Sequence, residues 1–313
     1  WYPRGAAPET PEAFPCAAHY RDTGWAILRS GFSDADSLLA MRSGYHGSHC
    51  QLDQNSFMLC VGGEWLLSDP GYGQVPTELH STLLCEGKGQ SASGGEMTAF
   101  GTVGQVSYAA GEAGRCYGGL ARFTRHIVLA AKEYYVVVDE LAPSAGPVEV
   151  TPQLVIGGED PQIGEAGRIV LHGKQRCAVS LPSAPGETKL VKDRNTRLQT
   201  GFTLAEPCLK PMVLQPGRGD DARPVVSTGS GGAVLLRIGE GESVDYLLLN
   251  PTGEQRELSL SDAPEMRLST DGRVLWVRVE GEQVKGWSLI WGSKASVGVT
   301  SLVDEAQRAD RAG

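Results

Sequence analysis

Polar and titratable side chains crowd into Tyr45-His46-Gly47-Ser48-His49-Cys50-Gln51-Leu52-Asp53-Gln54-Asn55-Ser56-Phe57, immediately ahead of an apolar run. Residues 57–61 pass through Gly62-Gly63 into Glu64-Trp65-Leu66-Leu67-Ser68, and the second arm ends at Asp69-Pro70-Gly71-Tyr72. Two short apolar arms around a glycine pair read as a hairpin that carries the polar cluster on one end. About ten residues on, His80 opens another apolar segment, 79–84. His49, Asp69 and His80 could therefore converge. Imidazole with carboxylate suits zinc or another transition metal, and equally suits proton transfer near neutral pH. Spacing alone leaves both open. The bland alternative is that the two histidines are hydrogen-bonded residues at strand ends, with Asp53, Asn55 and Asp69 forming turns. A Cys50–His49 nucleophile pair is disfavoured, because neighbours on an extended chain point to opposite faces.

The elements that must position these residues read as strands. Gly 41 and Pro 18 punctuate short runs rich in Val, Leu, Ile and Tyr across 313 residues, a pattern of many strands and turns rather than long helices. Such runs fall at 25–29, 56–61, 65–68, 81–85, 105–109, 123–130, 134–139, 148–156, 233–238, 244–249, 274–279 and 287–291. The expected fold is all-β, one large antiparallel β-sandwich with few short helices. One helix is expected over 33–42, with Ser33 as N-cap ahead of Asp34 and Asp36, and a second over 304–311. Residues 182–192 and 216–224, rich in Pro, Gly and charge, are the expected long loops.

A formal charge of −9 argues against nucleic acid and anionic membranes as partners, and mildly against a polyanion. Arg115, Arg122, Arg125 and Lys132 nevertheless lie close together in sequence. No stretch approaches the roughly 20 apolar residues of a membrane helix. The seven cysteines contain no CxxC pair, which removes a zinc ribbon or thioredoxin-like motif, and the odd count leaves at least one thiol without an intramolecular partner.

In order along the chain, His49, Asp53, Ser56-Phe57, Gly62-Gly63, Asp69-Pro70-Gly71 and His80-Ser81-Thr82 resemble the opening of the C-terminal β-sandwich of the heparinase II/III-like polysaccharide lyases. The likeness continues through 83–90, 122–128 and 134–140, and covers roughly 20–160. It implies a supersandwich-like domain over 23–313, with 1–22 as the connector from an N-terminal helical toroid of the same protein. It implies a secreted or periplasmic enzyme acting on an acidic, uronic-acid-containing polysaccharide, heparan-like or alginate-like, by β-elimination. That reaction needs the sugar carboxylate neutralised, a base for the neighbouring proton and an acid for the leaving oxygen.

By this resemblance His49 is a catalytic candidate and Tyr72 a second. Gln54, Asn55 and Arg125 are candidates for substrate binding, and Gln51, Asp69 and His80 for holding one divalent metal, zinc or calcium. Gln51 stands where the family pattern has a second histidine. Glutamine is a poor zinc ligand beside imidazole, so any metal is expected to be weakly held or helped by His46. A reading from another class makes the domain a non-catalytic carbohydrate-binding or scaffold module, with Trp25, Trp65, Trp276, Trp287 or Trp291 stacking on sugar rings.

Overall fold

The computed structural model describes residues 10–73, 75–165, 167–183 and 188–303. Its antiparallel strands form four sheets that stack as successive layers. The first sheet runs, in spatial order, Ala17–Tyr20, Trp25–Arg29, Ser37–Arg42, Ser56–Val61, Glu64–Leu67, Val148–Ile156, Thr196–Thr200 and Thr188–Lys192. Leu83–Cys85 and Phe202–Leu204 also pair with Val148–Ile156. The second sheet holds eight strands, with Cys208–Pro216, Tyr134–Pro143, Leu120–Ala130 and Val106–Glu112 at its centre. The third contains Ala233–Ile238, Ser243–Leu249 and Val274–Glu280 between two edge strands, and the fourth contains Arg256–Leu260 and Ala263–Thr270.

The layering explains the sequence pattern. Leu39, Met41, Phe57 and Leu59 of the first sheet pack on Ile127, Leu129, Tyr135 and Val137 of the second. The opposite face of the second sheet, with Tyr108, Val128, Val136 and Val138, packs on Leu236, Leu247 and Trp276 of the third. The third in turn covers Leu258, Leu260 and Leu268 of the fourth. A sheet buried on both faces needs continuous apolar strands, which is why Ile127-Val128-Leu129-Ala130 and Tyr134–Val138 show no alternation. Each fully buried Leu or Val in these interfaces contributes about 2 kcal/mol.

Two expected elements differ. Residues 33–42 are not a helix. Ser37–Arg42 is a strand paired on both sides, with Trp25–Arg29 and Ser56–Val61, so ladder bonds and burial override the helix preference of Leu38-Leu39-Ala40-Met41. The capping signature folds as a turn instead: Ser33 donates both its amide and its hydroxyl to Asp36 at 2.8 and 2.6 Å. The end of the expected loop 182–192 is the edge strand Thr188–Lys192. The helix expected over 304–311 lies outside the described residues. Helix among the described residues amounts to three single 3₁₀ turns, at Pro11–Ala13, Thr77–Leu79 and Gly114–Cys116.

Two long connections leave the first sheet at the same end. Arg42 and Ser56 are register partners, so residues 43–55 form one excursion from that end. Leu67 pairs with Leu59, so residues 68–82 leave beside it. Gly24, at φ +70, passes against Gly44 so closely that a Cβ would sit 2.3 Å from the Ser43 carbonyl oxygen, and only glycine fits that crossing.

Candidate functional site

The two excursions meet over a buried polar plug. Arg125 is 2% exposed and grips Asp139 through Nε and Nη2, both at 2.7 Å. Its Nη1 donates to the carbonyls of Asn55 at 2.7 Å and Ser81 at 2.8 Å, one from each excursion. Phe57 and Phe123 flank the guanidinium at 5.1 and 5.3 Å. Asn55, at φ 56, donates to the carbonyls of Gly111 and Phe123. The Gln54 side-chain oxygen accepts from the amides of Gly44 and Gly95 at 2.8 and 3.0 Å. Gln90 and Gln153 complete the plug: Gln90 bridges Gln54 and Tyr117, and Gln153 donates to the carbonyls of Thr77 and His80.

Gln54, Asn55 and Arg125 therefore come together, as expected of site residues, but beneath the surface. Their contacts are to backbone and to Asp139, and they fix where the excursions begin and end. Arg115, Arg122 and Arg125 form no shared basic patch. Arg115 donates to the Gly94 and Gly95 carbonyls, Arg122 pairs with Glu140 at 2.6 Å, and Arg125 is spent inside.

Above the plug, the excursion 68–82 is tied to 43–55 by side chains. Asp69 accepts at Oδ1 from the Gly71 amide at 2.9 Å and is bonded through Oδ2 to His80 Nδ1 at 2.9 Å. Burial pulls the Asp69 pKa up, but the bonds from His80 and Gly71 outweigh it and hold the carboxyl below its ordinary value. Gln51 donates its amide to the carbonyls of Gly71 at 2.6 Å and Gly73 at 3.0 Å. Carbonyls cannot donate, so these partners fix which end of the Gln51 amide faces them. Arg42 binds Asp53 at 2.5 Å and the Tyr45 carbonyl at 2.9 Å. For Asp53, burial raises the pKa by more than Arg42 and His80 lower it, so its net shift is upward.

His49 and Tyr72 stand at the solvent side of this frame, His49 Nδ1 3.0 Å from the Tyr72 hydroxyl oxygen, their rings near-parallel at 6.2 Å. Tyr72 is 88% exposed. His49 has φ 64, a left-handed conformation that costs a non-glycine residue energy and collects at functional positions. The pair lines a cleft of about 850 Å³ with His46, Cys50 and Gln51, within the range of small-ligand sites.

Gln51, Asp69 and His80 are also brought together, but as a hydrogen-bonded clamp. Among the described residues no three His, Cys, Asp or Glu side chains converge on one point. Gln51 turns N–H groups to its partners, and Asp69 is engaged through both oxygens. His80 Nε2 is buried without a partner, which is one donor, and this set does not fit the three or more ligands of zinc or the all-oxygen shell of calcium.

Sequence reasoning missed Arg42, Gln90 and Gln153, and gave Tyr45, the first residue of the polar cluster, no role of its own. Arg42 was hidden inside the expected helix. The two glutamines give no sequence signal, since only their burial marks them. All seven cysteines are free thiols. No helix among the described residues is long and apolar enough to cross a membrane.

The fold is that of known lyases. The crystal structure of heparan sulfate lyase HepC from Pedobacter heparinus superposes with a TM-score of 0.60 at 14% identity, covering 71% of this chain and 41% of that one. A structure of Heparinase III gives 0.61 at 14% identity, covering 74% and 42%. The Heparinase III-BT4657 gene product gives 0.59 at 14% identity, covering 84% and 42%. The chain thus spans about two fifths of the length of these proteins. No curated protein matches the sequence. The model of the heparinase II/III-like, C-terminal family matches residues 14–188, more than half of the chain, and the chain belongs to that family.

Proposed function

We propose that this chain is the C-terminal part of a polysaccharide lyase that cleaves a uronic-acid-containing chain, heparan-like rather than alginate-like, by β-elimination. Family membership supports the reaction class, and the solved relatives named for heparan sulfate favour that polymer. The observation that carries the reading is the exposed His49–Tyr72 pair, held in a cleft by a buried frame.

In the reaction a base removes the proton on the carbon beside the uronate carboxylate. That C–H electron pair becomes the ring double bond as the bond from the next ring carbon to the leaving oxygen breaks, and the leaving oxygen takes up a proton. An imidazole and a phenol in one hydrogen bond supply the parts. With the Tyr72 O–H donating into Nδ1, the neutral imidazole offers Nε2–H to the sugar carboxylate; with Nδ1–H donating to the Tyr72 oxygen, the bare Nε2 takes the ring proton and the Tyr72 O–H gives one to the leaving oxygen. Gln51, Asp69 and His80 position Tyr72 by tying down 69–73, and no step passes through a metal.

A helical N-terminal domain of the same protein would form the opposite wall of the cleft, and a polymeric substrate calls for a secreted or periplasmic enzyme. The test is ultraviolet absorbance of the unsaturated uronate product, from full-length protein on heparan sulfate, alginate and other uronate polymers, beside His49→Ala. Product that depends on His49 is expected. Its absence across the panel from folded protein would return the domain to a non-catalytic carbohydrate-binding role.

A further inference from the structure

We infer that Tyr45 and Trp25 form a sugar-stacking subsite in an arm of the cleft beyond the His49–Tyr72 pair, taking a pyranose ring of the polymer by its C–H face. Tyr45 is 75% exposed, yet it is held. Arg42, itself 7% exposed and bonded to Asp53, donates to the Tyr45 carbonyl at 2.9 Å. Its ring lies against the chain at Gly47, where a Cβ would meet Cε1 at 2.3 Å. A large aromatic ring held in place with one face open is preformed to stack on whatever covers it.

The position of Tyr45 says what that is. Tyr45 lines two adjoining concavities, of about 490 and 660 Å³. The first also contains His49, Cys50 and Gln51, and through them continues into the cleft of the His49–Tyr72 pair. Its other aromatic wall is Trp25, which is Arg42's register partner on the neighbouring strand. Trp25 is half-buried, whereas Trp276 lies wholly in the core.

The charges in this arm do not favour a carboxylate or sulfate as the group recognised, because its one guanidinium, Arg42, is already engaged by Asp53. Asp53 is bonded to Arg42, Asp69 to His80, and Asp22 adds a further acid. The arm offers aromatic faces and acceptors for sugar hydroxyls, which match the C–H face and the rim of a pyranose and leave the anionic groups to solvent. It therefore selects chain length rather than charge.

The inference rests on the proposed carbohydrate substrate but not on cleavage. The test uses full-length protein in a His49→Ala background, with calorimetric binding of heparan sulfate disaccharide, tetrasaccharide and hexasaccharide. Tyr45→Ala is expected to weaken the hexasaccharide about tenfold, the size of one lost aromatic stack, with the disaccharide unchanged and the fold-change the same at low and high salt. Tyr45→Phe is expected to bind as the parent does, and Trp25→Phe to weaken binding less than Tyr45→Ala. Equal hexasaccharide binding by Tyr45→Ala and its parent would overturn the subsite, as would an equal loss for the disaccharide. Cleavage by the protein with His49 intact is scored separately. Binding that depends on Tyr45 without cleavage would sink the lyase reading and leave the subsite standing; cleavage indifferent to Tyr45 would do the reverse. Neither binding nor cleavage would remove both.

Discussion

Two Arg–Asp pairs built on buried aspartates show how differently the two ends of the stack are used. Within the second sheet Arg125 binds its register partner Asp139, and its remaining N–H groups go to the carbonyls of Asn55 and Ser81 on the two excursions of the first. Within the third sheet Arg278 binds its register partner Asp245 at 2.7 and 2.8 Å, and its remaining donors cross to Glu133, in a turn of the second sheet, at 2.8 and 3.0 Å. Arg223 and the Tyr134 hydroxyl also reach Asp245. The same chemical pair holds irregular chain at one place and staples sheet to sheet at the other.

The connections account for the difference. In the third and fourth sheets, strands are joined by tight turns such as Gly231-Gly232 and Gly281, all at positive φ, which leave little chain to carry chemistry. In the first sheet the excursions 43–55 and 68–82 are long enough to present His49 and Tyr72, and they need the plug because irregular backbone must find hydrogen bonds one by one.

The sharpest way to break this contrast is at the exposed pair. His49→Ala in the full-length enzyme is expected to lower kcat by about 10²–10⁴ with an unchanged melting temperature; an active variant would remove His49 from the chemistry. Arg125→Met leaves Asp139 buried and unpaired. It is expected to cost about 3–5 kcal/mol in denaturant unfolding and to lose activity even in the fraction that stays folded. Arg278→Met is expected to cost less, about 2 kcal/mol, because Arg223 still faces Asp245, and to leave kcat per folded molecule intact. Equal kinetic damage from both would mean the first pair has no special hold on the site.

Smaller effects sharpen the picture. Gln51→Ala removes two hydrogen bonds to the Gly71 and Gly73 carbonyls and is expected to cost about 1 kcal/mol, with kcat falling several-fold as Tyr72 loses its tether; hydrogen exchange at 71–73 checks the loosening. The smallest is acid dependence. Asp69 and Asp245 both have folded pKa values below the ordinary range, held there against burial by His80 and Gly71 in one case and by Arg278 and Arg223 in the other. Their stabilisation is complete above about pH 4, the unfolded carboxylate value, and is lost as pH falls through the lower folded values. Asp53, raised by burial, works in the opposite direction. Asp69→Asn should flatten the acid limb of a stability–pH curve measured by urea unfolding, and an unchanged limb would show that the His80 bond contributes nothing there.

The amino-acid order by itself determined the all-β character, the strands at 25–29, 123–130, 134–139, 148–156, 233–238, 244–249 and 274–279 but not the central 208–216, the hairpin at 56–67 and the cluster that carries His49, Asp69, Tyr72 and His80. These follow from local patterning, apolar runs cut by Gly and Pro, and from the order of a few polar residues in the family pattern. Only the tertiary structure decided that 37–42 is a strand, because its partners lie 9 to 17 residues before it and 14 to 24 after it. It likewise decided that Arg125, Gln54 and Asn55 are buried supports, that Gln51 turns its amide donors to carbonyls, and that Trp25 and Tyr45 share one concavity. Burial and hydrogen-bond direction depend on what other segments bring to the same point, and no local window of sequence contains that information.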